Sequence, residues 1–81
     1  MTITRQVMIL PYPVLASVVR YWESKWDTDI YVGLGPCTRG DNQLPVAEGQ
    51  TFITFYTEEA LHWFAQRFPE GQFYNEEWRS S

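Results

Sequence analysis

Two stretches of helical apolar spacing, each bracketed by short runs of strand spacing, limit what this chain can build. Val14, Leu15, Val18, Val19, Trp22 and Trp26 recur at helical intervals over Val14–Trp26, with Ser17, Arg20, Ser24 and Asp27 on the polar side. Ala60, Leu61, Phe64, Ala65 and Phe68 repeat the pattern over Glu58–Phe68. Thr57 stands at that helix's capping position, Glu58 and Glu59 fill its first turn and Arg67 its last, and Pro69 ends it.

The intervening runs read as strands. Ile3–Leu10 is β-branched and apolar, with Ile3, Val7 and Ile9 sharing one parity and Arg5 interrupting it. Pro11-Tyr12-Pro13 ends it, and Pro13 suits the first turn of the helix that follows. Asp27-Thr28-Asp29 stops that helix. Ile30–Leu34 places Ile30, Val32 and Leu34 on one face and Tyr31 on the other. Thr51–Tyr56 alternates threonine with aromatic and β-branched residues. Gln72–Asn75 is a weaker strand, followed by a short acidic, aromatic tail over 76–81. The Gly/Pro-rich stretch 35–50 is long for a connection in a compact domain, and such loops are often functional. It has room for a short hairpin around Leu44–Ala47.

The order is β-α-β-β-α-β. At 81 residues the chain makes one α+β domain over 1–81. An antiparallel sheet with both helices on one face, the ferredoxin-like arrangement, satisfies that order most economically. A different strand order, or a hairpin added in the long loop, is the alternative. With 17% aromatic residues the chain can fill a small core efficiently.

Ten acids against six bases give a net charge of −4. That opposes direct binding to nucleic acid, which rests on Lys and Arg at phosphates, and to an anionic membrane surface. Cys37 is the one cysteine, so no internal disulfide can form and a reducing, cytoplasmic setting is expected. No charged stretch leads into a long apolar run at the N-terminus, so no secretory leader is expected. The longest apolar run, Val7–Leu10, is far too short to span a bilayer.

If both helices cover one sheet face, the other face is open unless the 35–50 loop or the tail folds over it. Strand parity assigns Ile53, Phe55, Ile30, Val32 and Leu34 to the helices. It assigns Phe52, Thr54, Tyr56, Tyr31, Gln6, Met8 and Leu10 to the other side, an apolar and aromatic surface of the kind that marks a contact site. Trp63, Trp78 and Tyr74 are further aromatics with polar handles suited to interfaces.

Motifs for chemistry are sparse. Cys37 has Arg39 nearby to favour a thiolate, but the only histidine is remote in sequence, so a half-buried loop cysteine is the plainer reading. His62 shares a helix face with Glu58 and Glu59, a weak ligand set for a metal and an ordinary solvated face otherwise. Gly33-x-Gly35 and Gly40 lack the Lys-Ser/Thr of a phosphate loop. Arg39-Gly40-Asp41 spells a cell-adhesion tripeptide, too short to carry weight. Glu70, Glu76 and Glu77 could pair as carboxylates, but glycoside chemistry needs a deep groove that so small a domain seldom builds.

These observations lead to the expectation of a non-enzymatic protein-binding module with no cofactor and no metal. An inhibitor or adaptor fits, for instance one encoded by a phage or mobile element to block a host nucleic-acid-binding or defence complex. The expected contact residues are Tyr31, Phe52, Tyr56, Trp63 and Trp78, ringed by Glu58, Glu59, Glu76 and Glu77. The expected partner is another protein with a basic surface, or further copies of the chain. Two other classes compete. One is an oligomeric binder of a nucleotide or metabolite, using the 35–50 loop with Arg5, Arg20 and Arg39 as anion contacts; the other is a small enzyme built on Cys37.

Overall fold

The computed structural model describes residues 1–80. Strand β1 spans Thr2–Leu10, helix α1 Ala16–Trp26, β2 Ile30–Leu34, β3 Cys37–Arg39, β4 Leu44–Val46, β5 Thr51–Phe55, helix α2 Glu58–Arg67 and β6 Gln72–Arg79. The main sheet runs β2-β5-β1-β6 with every pairing antiparallel. This is the ferredoxin-like arrangement expected from element order, with β3 and β4 added as a separate two-stranded hairpin. Among the described residues, no helix is long and apolar enough to cross a membrane.

Both helices lie on one face. Met8, Leu10, Ile30, Ile53 and Phe55 from the sheet meet Trp22 and Trp26 of α1 and Ala60 and Phe64 of α2 in the main core. Trp22 stands edge-on to Phe64 at 5.0 Å and to Phe68 at 5.4 Å, an arrangement that suits ring quadrupoles. Thr57 caps α2, its hydroxyl accepting the Ala60 amide at 3.4 Å. Helix α1 has no side-chain cap. The chain leading into it is instead tied down by buried Thr51, whose hydroxyl accepts the Val14 amide at 2.9 Å and donates to the Tyr12 carbonyl at 3.0 Å.

Several expectations are corrected. Helix α1 begins at Ala16, so Pro13 lies before its first turn, and Leu15 is exposed rather than part of the stripe. The parity of β1 is reversed: Met8 and Leu10 face the helices, while Val7 and Ile9 face the other way. All four are buried, so β1's hydrophobic pattern did not distinguish its faces. The stretch from residue 76, read as a tail, continues β6 to Arg79, paired with β1 as far as Thr2 opposite Arg79.

The largest correction concerns the second sheet face. It is covered by the β3–β4 hairpin, with Val7, Ile9, Val46 and Phe52 forming a second small core against which Cys37 and Leu44 pack. Gly40 makes the turn possible. It has φ +77°, and a Cβ there would stand 2.8 Å from the Glu77 carbonyl oxygen, so the turn backbone lies directly against β6.

Candidate functional site

The hairpin holds its position through a polar cluster on the covered face. Glu76 of β6 is fully buried. Its Oε2 accepts Arg39 Nε at 3.1 Å and the Thr54 hydroxyl at 2.9 Å, and its Oε1 accepts Trp78 Nε1 at 3.1 Å. The Arg39 guanidinium also lies 4.5 Å from the Phe52 ring centroid, 5.2 Å from Tyr31 and 5.5 Å from Trp78. A buried carboxylate with three donors and a guanidinium among three rings is a satisfied structural unit that fixes the hairpin on the sheet.

This arrangement redistributes the expected contact residues. Phe52 is core and Glu76 is buried, so neither can meet a partner directly. Tyr31 and Tyr56 are exposed; Tyr56 carries the Arg5 guanidinium 4.7 Å over its ring. Trp78 is half-buried and turned to Glu76. Trp63 is half-buried between Arg67, at 4.3 Å, and Lys25, at 5.3 Å, and packs on Trp26. Glu58 and Glu59 are exposed at the start of α2, and Glu77 is exposed on β6.

The acids therefore do not form one patch. Glu70 accepts the Tyr12 hydroxyl at 2.5 Å. That bond holds the Glu70 carboxyl below its ordinary range and, with burial and the carboxylate charge, pushes the Tyr12 phenol up to about 12. Nor do the arginines converge: Arg5 and Arg20 line different grooves, and Arg39 is engaged by Glu76. Cys37 is half-buried beside the second core. Among the described residues, no three His, Cys, Asp or Glu side chains gather as a metal site would require, His62 with Glu58 and Glu59 included.

The two sheet edges differ sharply, and neither difference was expected from sequence. On β6 the odd-numbered residues point their backbone groups outward, and the hairpin turn closes much of that edge. Asp41 N–H donates to the Glu77 carbonyl at 2.6 Å, and Glu77 N–H donates to Asn42 Oδ1 at 3.0 Å. Asn42 Nδ2 donates to the Asn75 carbonyl at 3.0 Å, and Arg79 N–H donates to Asp41 Oδ2 at 2.6 Å. The turn thus supplies donors and acceptors where another strand would otherwise sit.

On β2 nothing comparable occurs among the described residues. Gly35 N–H donates to the Gln50 carbonyl at 3.0 Å, and the Asp29 carbonyl accepts Tyr56 N–H at 2.8 Å. Odd-numbered positions therefore make the ladder to β5, and the amides and carbonyls of Ile30, Val32 and Leu34 point away from the sheet. This edge carries no proline, no charged residue and no bulge, the usual devices against unwanted pairing. Beside it runs an apolar groove of about 450 Å³, lined by Val14, Val19, Val32 and Leu34, with Arg20 and Glu23 among its lining side chains. Leu34 is 54% exposed and Tyr31 51%.

Among the described residues there are other grooves, two of them of similar volume. One of about 490 Å³ lies between the hairpin and β6, lined by Ile9, Leu44, Val46 and Tyr74 among others. Another of about 520 Å³ is bordered by Arg5, Tyr56, Glu58 and His62. The β2 groove adjoins a row of outward backbone donors and acceptors, so it combines apolar area with directional pairing. The sequence signal for it was weak but present: in this element order the second strand is an edge strand, and Ile30–Leu34 is uncharged throughout. Comparison with protein-family models, curated proteins and solved structures found no match for this chain.

Proposed function

We propose that this chain is a protein-binding module, acting as an adaptor or inhibitor, whose docking site is the β2 edge with the groove beside α1. The observation that carries this reading is the contrast between the edges: β6 is closed over residues 75–79 by Asp41 and Asn42, whereas Ile30, Val32 and Leu34 offer their backbone groups to solvent. An extended segment pairing with β2 would gain main-chain hydrogen bonds and set alternate side chains into the groove. Val14, Val19 and Leu34 would bind apolar side chains, and Arg20 and Glu23 would select charge at the rim.

The expected acidic ring for a basic partner surface loses one member, because Glu76 is internal, and its remaining acids lie apart on α2 and β6. A partner chosen mainly by shape and strand pairing fits better than one chosen by a basic channel. The anion-binding alternative also weakens, since Arg39 is committed to Glu76.

The test is affinity capture from cell lysate with wild type beside Leu34→Lys, which puts a charge on an exposed position of the edge. The expected result is one stoichiometric protein held by wild type and lost by the variant, with both folded by circular dichroism. Equal capture by both would remove the β2 edge from consideration.

A further inference from the structure

We propose that the β2 edge pairs with the β2 edge of a second copy of this chain, about a twofold axis at Val32, to give one continuous antiparallel sheet. This rests on the reading of that edge as the docking site, and names its occupant.

The strand is self-complementary in register. A twofold at Val32 places Ile30 opposite Leu34 of the second copy, Tyr31 opposite its Gly33, and Val32 opposite Val32. Ile30, Val32 and Leu34 carry the outward amides and carbonyls, so these positions become the hydrogen-bonded pairs. They would supply about six main-chain hydrogen bonds, two for each narrow pair.

Side chains agree with the same register. Ile30 is buried on the helix face and Leu34 is exposed at the strand's end, so pairing sets each Leu34 beside an Ile30 of the other copy. On the opposite face Tyr31 meets Gly33. Gly33 has no room for a side chain of its own, because a Cβ would stand 2.5 Å from the Phe52 ring. Tyr31, already 5.8 Å from its own Phe52, would extend across that glycine toward the second copy's Phe52.

Charge agrees as well. Arg20 and Glu23 both line the groove beside β2. The twofold sets the two α1 helices antiparallel, and in the proposed dimer Arg20 of each copy meets Glu23 of the other across the seam. Opposite charges thus face each other twice, without a basic or acidic partner being required.

The experiment is sedimentation equilibrium over a wide concentration range, on wild type, Leu34→Lys, Arg20→Glu, Glu23→Arg and an equimolar mixture of the last two. Arg20 and Glu23 are exposed helix positions, so these variants keep the fold. Wild type is expected to dimerise, Leu34→Lys to be monomeric, and each charge variant alone to dimerise at least several-fold more weakly. The mixture is expected to recover association as a heterodimer, because one copy then carries acids at both positions and the other carries bases at both. Wild type that stays monomeric throughout overturns self-pairing, as does dimerisation indifferent to Leu34→Lys or a mixture no stronger than its components. Lysate capture separates the two readings. A partner lost by Leu34→Lys while wild type is monomeric retains the edge as a docking site for a foreign strand. Monomeric wild type whose capture is unaffected by Leu34→Lys removes both.

Discussion

Arg39 of the hairpin and Glu76 of β6 meet at 3.1 Å, with the Glu76 side chain 1% exposed and the Arg39 side chain 16%. Removing either partner leaves the other charge without its counterpart in a place water hardly reaches. Glu76→Ala also strips the acceptor from Thr54 and Trp78. It is expected to cost about 3 kcal/mol or more, a large share of a small domain's stability. Arg39→Leu combined with Glu76→Leu should lose less than the sum of the singles, measured by urea denaturation.

Phe52→Ala should act on stability first. Its ring fills the second core with Val7, Ile9 and Val46, so truncation is expected to cost about 3 kcal/mol. Tyr56→Ala, at a 44% exposed position, should cost well under half as much. Thermal or chemical unfolding of both variants distinguishes a core ring from a surface one.

Gly40→Ala should loosen the hairpin. The left-handed backbone and the close approach to Glu77 both oppose a side chain there. A loss of about 1–2 kcal/mol is expected, together with faster amide exchange at Glu77 and Arg79, whose N–H groups bond to the adjoining turn residues.

Tyr12 and Glu70 should give a visible alkaline signature. The phenol holds its proton more tightly in the folded chain, up to about 12. Its contribution is complete below the ordinary tyrosine range near 10 and fades as pH rises toward that raised value. Glu70 runs in the opposite sense: its depressed carboxyl contributes above the ordinary range and loses that contribution on acidification. Phenolate absorbance should show one tyrosine titrating late, and Glu70→Gln should bring it back toward about 10.

Element order and the helix stripes were legible because Trp22, Trp26, Ala60 and Phe64 follow simple periodicity into one core. The face assignment of β1 was not, because Val7, Met8, Ile9 and Leu10 are buried on both sides of the strand and period-two contrast disappears. The hairpin's role was hidden for a different reason. Arg39 and Glu76 look like solvated charges in sequence, and only their meeting across 37 positions makes them internal. The contrast between the edges was equally non-local, since Asp41 and Asn42 close β6 by reaching residues 75–79.

The most direct measurement is amide hydrogen exchange at Val32 and Glu77, made in dilute and in concentrated protein. Val32 is expected to exchange quickly when dilute and to gain protection as concentration rises, while Glu77 stays protected throughout. Slow exchange at Val32 in dilute protein, matching Glu77, would show that the β2 edge is already covered. Fast exchange at Val32 at every concentration would contradict its pairing with a second copy.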